Sequence, residues 1–344
     1  MENTATPTQT LAQIRIWRDV DAATFRDEIK PLNRPALLKG LVRDWPAVRE
    51  AIKSPRALCD YIRPFDLGRP VQTFIGPPSI KGRFFYRDDM SGFNFERRNE
   101  SFQHSIERIL AHMEHPDPPS LYAGAVSTAE GFPGFARENA LDLVDPSVVS
   151  RIWAGNAVSV SAHYDLSDNI ACVVAGRRRF TLFPPNQLPN LYVGPLDFTM
   201  AGQPASMVDL DAPDFARHPR FAEALANAET AELEPGDAVY IPTLWWHHVR
   251  SLDPFNLLVN FWWNDAVPGA GSPFEALIHG ILSIGSLPPE RREAWRGIFD
   301  HYVFQTGGEP VPHLAPEHRG VLGRMTPQLS SYIKGWLVKA LQRP

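Results

Sequence analysis

Between residues 151 and 263 the chain is a succession of short strand-like segments separated by turn residues, and this limits the fold more than any other feature. Residues 158–165, 170–174, 179–183, 238–241, 247–252 and 257–263 are each four to eight residues long and have strand character. Gly176 and the run Glu234-Pro235-Gly236-Asp237 mark turns, and a proline-rich insertion spans about 184–219. Helical spacing lies on either side, at 22–29, 46–52 and 102–113 before the strands and at 274–282, 290–304 and 327–341 after them. In 102–113, Phe102, Ile106, Ile109, Leu110 and Met113 share one face, and the prolines of His115-Pro116-Asp117-Pro118-Pro119 forbid continuation. Further strands are expected at 71–75, 84–86 and 121–123, and residues 1–12 read as a polar, disordered terminus. The expected fold is mainly β with flanking α: a barrel or jelly-roll core, α/β elements before it and a helical bundle after it.

Composition narrows the function classes. Thirty-three prolines and 23 glycines among 344 residues favour short elements joined by loops. The formal net charge is −5 and no Lys/Arg run resembles a phosphate-binding tail, so a nucleic-acid partner is not expected. Neither a secretory leader nor an apolar stretch near bilayer length stands out. Cys59 and Cys172, far apart, read as reduced core thiols, which suits a cytoplasmic setting.

The chemistry concentrates in Ser161-Ala162-His163-Tyr164-Asp165. Residues i and i+2 of a strand point the same way, so His163 and Asp165 share a face. The tripeptide alone is common by chance; its context is a strand pattern and a second histidine pair, Trp245-Trp246-His247-His248, just after a turn-and-strand unit. Strand neighbours point oppositely. Turning His247 inward sends Arg250 outward, and the reverse would bury a charge, so His247 is the expected ligand and His248 an ordinary hydrogen-bonded histidine. Two imidazoles and a carboxylate form a facial triad with three adjacent positions open for a 2-oxo acid and dioxygen. Asn260 stands in an otherwise apolar strand face, where either a ligand or a neighbouring strand could satisfy its amide; Tyr122 and Asn169 pose the same choice. Alternation separates Arg178 from Arg177 and Arg179 and permits one inward arginine. Phe180, Leu182, Phe183 and Trp262 read as plain packing.

A series of stretches resembles the JmjC/cupin-like (cupin 8) oxygenases, and among them most closely the asparaginyl hydroxylases. It runs from Arg34-Pro35 and Asp44-Trp45-Pro46 through Phe84-Phe85-Tyr86, Ser120-Leu121-Tyr122, His163-Tyr164-Asp165 with Asn169, and Arg179-Phe180-Thr181-Leu182-Phe183-Pro184-Pro185. It continues through Pro235-Gly236-Asp237 and Trp245-Trp246-His247-His248 to Asn260-Phe261-Trp262. The resemblance implies a double-stranded β-helix binding Fe(II), 2-oxoglutarate and O2. It maps the metal ligands onto His163, Asp165 and His247, and the 2-oxoglutarate contacts onto Tyr122, Asn169, Asn260 and Arg178. Arg178 replaces a lysine, and Val160 replaces a threonine three residues before the first ligand, whose hydrogen bond is lost or comes from Ser159 or Ser161. The implied domain covers 13–268, with its core at about 120–265, and 269–344 forms a C-terminal helical region suited to a homodimer.

The expected activity is therefore hydroxylation of a protein or peptide side chain, with demethylation by the same chemistry left open. Residues that grip an asparaginyl substrate are replaced by Pro204-Ala205 and Gly124, so that specificity is not expected to transfer. The alternatives are a metal-dependent cupin acting on a small molecule or a tRNA base, and a non-catalytic cupin-like binding module.

Overall fold

The computed structural model describes residues 11–266 and 269–342, so most of the terminus expected to be disordered lies outside the described residues. They fall into two compact units, one ending at Asn264 and the other beginning at Asp265.

The first unit holds fourteen strands: β1 (Ala12–Gln13), β2 (Ile16–Arg18), β3 (Ala36–Lys39), β4 (Pro70–Gly76), β5 (Glu96–Ser101), β6 (Ser120–Ser127), β7 (Ser150–Gly155), β8 (Ser159–His163), β9 (Asp168–Ala175), β10 (Arg178–Phe183), β11 (Glu229–Leu233), β12 (Ala238–Ile241), β13 (Trp246–Ser251) and β14 (Asn256–Trp263). One sheet has the order β1-β11-β10-β13-β8 and the other β2-β3-β12-β9-β14-β7-β6-β4-β5. The eight strands from β7 onward pair antiparallel as β7-β14-β9-β12 and β8-β13-β10-β11, each quartet within its own sheet. That arrangement is a jelly roll, the expected core.

Three apolar layers hold it together. Phe180, Leu182, Val249, Ala171, Val173 and Leu258 meet between the sheets. Behind the larger sheet, Ile170, Cys172, Val174 and Val259 pack on helix residues such as Phe25, Leu58, Phe102 and Ile106. Behind the smaller sheet, Ala162, Phe183 and Trp246 meet Leu191, Val208 and Phe221 from the proline-rich insertion and the helix after it. Every residue of β9 is buried because both of its faces are covered, which explains the unbroken apolar run at 170–174.

Two expectations need correction. Residues 84–86 form no strand: Asn94 takes the place of a partner strand, accepting from the Phe85 amide at 2.8 Å and donating to the Arg83 carbonyl at 3.1 Å. The strand expected over 158–165 ends at His163. β5 escaped notice because Glu96-Arg97-Arg98-Asn99-Glu100-Ser101 has no apolar alternation; it is an exposed edge strand defined by its pairing with β4.

In the second unit the helices span Pro273–Ile284, Pro289–Tyr302 and Pro327–Leu341. Ser272 and Glu275 form a capping box on the first. No helix among the described residues is long and apolar enough to cross a membrane.

Both cysteines are free and buried, and burial pushes the Cys59 thiol up to about 12 and that of Cys172 higher still. The folded protein should therefore resist iodoacetamide at pH 8, with both thiols labelled only after denaturation, as intact-mass measurement would show. Gly176 turns β9 into β10 at φ +70, and a Cβ there would lie 2.5 Å from the Phe255 carbonyl oxygen. Gly176→Ala should destabilise the fold by about 2 kcal/mol or more, read as a lower urea midpoint.

Candidate metal centre

The centre is assembled by the pairing of β13 with β8, which sets His247 directly opposite His163. Their ring centroids are 4.2 Å apart. The next pair in register is Val249 with Val160, so β8 carries one extra residue between the two pairs. In an unbroken strand, residues 160 and 163 would face opposite ways; with the bulge, both line the same cavity. Asp165 lies two residues past the end of β8, where its carbonyl accepts from the Leu244 amide at 3.1 Å. That amide belongs to the turn leading into β13, so the same pair of strands also anchors the backbone of the third donor. Potential donor atoms of His163, Asp165 and His247 all lie within 4.8 Å of one another. No other such cluster of His, Cys, Asp and Glu occurs among the described residues.

Hydrogen bonds fix which atoms are offered. His163 Nδ1 lies 2.9 Å from the Ser161 carbonyl and His247 Nδ1 lies 3.1 Å from that of Trp245. A carbonyl can only accept, so both Nδ1 atoms carry a proton, and Nε2 is the atom that each ring would offer to a metal. Burial, and then the neighbouring His163, pushes His247 down to about 4, so its imidazole is neutral at pH 7. Asp165 Oδ2 accepts from Trp262 Nε1 at 3.0 Å and from Asn169 Nδ2 at 3.4 Å, which orients the carboxylate. Trp262 is therefore more than the plain packing expected of it. Two imidazole nitrogens and one carboxylate oxygen brought to one point make a donor set that a divalent cation fits.

His248 points the other way, bonded through Nε2 to Ser159 Oγ at 2.9 Å, the ordinary role expected of it. The remaining polar candidates line the same cavity, whose volume is about 500 Å³. Asn260 Oδ1 accepts from Trp153 Nε1 at 2.7 Å, and its Nδ2 donates to Asn169 Oδ1 at 3.2 Å. Neighbouring strands thus satisfy the Asn260 amide. Arg177 and Arg179 pair at the surface with Asp253 and Glu232. Arg178 is only 2% exposed and turns inward beside Tyr122, with its Nε and Nη2 unpartnered. A guanidinium stays charged even where burial lowers its pKa, so it calls for an anion.

A family model for the cupin-like domain matches residues 22–267. The chain belongs to the cupin-like family. Its cupin-like domain is also similar to individual proteins. The tRNA wybutosine-synthesizing protein 5 of Danio rerio is 28% identical over 73% of this chain and 75% of its own length. Lysine-specific demethylase 8 of Xenopus tropicalis is 25% identical over 70% of this chain and 50% of its own. Lysine-specific demethylase JMJ31 of Arabidopsis thaliana is 38% identical over 32% and 20%. The chain thus spans three quarters of the first relative's length but half or less of the two demethylases.

The cupin-like domain also places residues at the cavity that sequence reasoning passed over. Phe74, Phe84 and Trp153 form aromatic walls, and Arg97 and residues 199–203 of the insertion also line it. Arg97 lies over the rings of Phe74, Phe93 and Phe95 and donates to the Met200 carbonyl. Only the β-alternation of Phe74 could have pointed to this wall, because the insertion has no periodicity.

His163→Ala and Asp165→Ala should each abolish stoichiometric metal in protein loaded anaerobically, measured by elemental analysis, whereas His248→Ala should retain it. Trp262→Phe, which removes the donor to Asp165, should weaken metal affinity roughly tenfold in competition with a chelating dye.

Proposed function

We propose that this chain is an Fe(II)- and 2-oxoglutarate-dependent oxygenase that hydroxylates a protein or peptide side chain, with residues 13–268 as its oxygenase domain. The observation that carries this reading is one cavity holding both a two-histidine, one-carboxylate donor set and a buried, unneutralised arginine. The donor set suits a ferrous ion with open coordination positions, and the arginine suits the far carboxylate of a keto diacid. When bound, Fe(II), 2-oxoglutarate and O2 supply oxidative decarboxylation to succinate and CO2, with one oxygen atom delivered to a substrate C–H bond.

The chain's own residues bind and orient. His163 and His247 offer Nε2, and Asp165 is held by Trp262 and Asn169. Arg178 and Tyr122 form the anion grip at the inner end. Asn169 and Asn260 line the cavity as the further 2-oxoglutarate contacts, bonded to each other and, through Asn169, to Asp165. Phe84, Trp153 and Leu258 exclude water around it.

The relatives named for lysine demethylation support a protein side chain as substrate. The relative named for tRNA wybutosine synthesis supports a second reading, a tRNA base, and its match extends over the larger share of both chains. Asparaginyl specificity has no support at the rim: a side chain at Gly124 would approach the Trp153 ring to 3.0 Å.

The reading includes a homodimer through the second unit. Among its described residues fifteen large apolar side chains, including Leu282, Trp295, Tyr332 and Trp336, are exposed. Half-exposed residues in that number offer roughly 1,000 Å² of apolar surface, above the ~800 Å² per partner of a standard interface.

Protein reconstituted with Fe(II) should form succinate from 2-oxoglutarate under air. Candidate peptides and tRNA can be compared by the mass gain of one oxygen atom. Arg178→Leu should weaken 2-oxoglutarate binding roughly a hundredfold in anaerobic calorimetry. Wild-type protein that holds metal but forms no succinate and binds no 2-oxoglutarate would sink the proposal in favour of a binding module or a different cupin chemistry.

A further inference from the structure

We infer that the cavity takes a protein segment with an acidic side chain beside the reacting residue, and that Arg97 and Arg151 are the residues that select it. This rests on the proposed function and narrows its substrate to one class of peptide.

Among the described residues, the charged side chains lining the cavity, apart from the two histidines, are Asp165, Arg178 and Arg97. Asp165 is held at the donor set by Trp262 and Asn169, and Arg178 answers the keto diacid. Arg97 is left over. It stands on β5 directly opposite Phe74 of β4, and Gln72, two residues before Phe74, lines the cavity too. Cross-strand partners share a face, so this face of β4 and β5 borders the cavity. Arg97 is exposed, so the cavity meets solvent there. No carboxylate among the described residues pairs with it. Glu96 is taken by Arg98 at 2.7 Å and Glu100 by Arg108 at 3.3 Å.

The Arg97 guanidinium is held in place all the same. It lies over the rings of Phe93, Phe74 and Phe95 at 4.7, 5.5 and 5.6 Å and donates to the Met200 carbonyl. Phe93 stacks on Phe198 at 4.9 Å, so the insertion shares the platform. A charged, ordered arginine without a counter-ion beside an open cavity is prepared for an anion.

Arg151 repeats the arrangement from another strand. In β7 it lies two residues before the cavity-lining Trp153 and shares its face. Its guanidinium lies 5.7 Å over Trp262, which also lines the cavity. It too has no carboxylate partner among the described residues. Two lone arginines suit one or two carboxylates. A nucleic-acid strand needs a longer run of cations, and Glu96 and Glu100 on β5 would repel its phosphates. A lysine side chain would bring in a further positive charge and meet no carboxylate of the described lining except Asp165.

The test is selection from a random-sequence peptide display library on full-length protein loaded with Mn(II) and 2-oxoglutarate without air, with unfractionated tRNA as a second probe. Retained peptides should be enriched in Asp and Glu. The tightest of them should bind Arg97→Gln or Arg151→Gln roughly fivefold more weakly. Arg97→Glu should turn the preference toward Lys and Arg. Each variant should hold metal as wild type does, which shows that its fold is intact. The inference is overturned if the retained peptides are basic or show no charge preference, or if Arg97→Glu leaves the preference as it was. It is overturned equally if no peptide is retained, whether or not tRNA is. Calorimetry of 2-oxoglutarate on the same wild-type preparation tests the function reading separately. Normal binding without an acidic preference sinks this inference alone, whereas no binding sinks the function reading.

Discussion

The cross-strand pair of His163 and His247 is the contact on which the rest of the site depends. Antiparallel pairing of β8 with β13 places the two imidazoles opposite each other without help from any loop. Each ring is then fixed by its own local backbone, through a carbonyl two residues earlier. Register therefore sets the position of the two candidate ligands, and the local carbonyl sets which nitrogen of each donates. A slip of one residue in β13 would turn His248 inward and carry Arg250 with it, at the cost of a buried charge.

The third donor comes from a different device. Asp165 follows the end of β8 and is captured by β14 and by the start of β9, through Trp262 and Asn169. Both sheets thus contribute to one centre, the smaller with its histidines and the larger with the groups that hold the carboxylate. This explains why a jelly roll suits such chemistry: the gap between its sheets is narrow enough for side chains from each to meet. The cavity's lining combines the Arg178 cation, the three candidate donors and an aromatic wall of Phe74, Phe84 and Trp153.

Much of this was legible in the sequence because strand alternation has a period of two. That rule assigned His247 rather than His248, separated Arg178 from Arg177 and Arg179, and put Leu258, Asn260 and Trp262 on one face. It failed where the backbone departs from alternation. Residues 84–86 are held by the Asn94 side chain, and β5 is an edge strand without an apolar face. The stretch from 199 to 203 borders the cavity without any periodic signal.

The sequence by itself determined the fold class and singled out three candidate donors, since local strand patterning and the chemistry of His, Asp and Arg are written residue by residue. Tertiary structure alone decided how the polar groups share out their hydrogen bonds. Asn260 commits its amide to Trp153 and Asn169, Ser159 its hydroxyl to His248, while Ser161 and the Arg178 fork keep capacity to spare. The physical reason is that a hydrogen bond between residues about a hundred positions apart depends on register and on a single bulge. Neither leaves a mark in local composition.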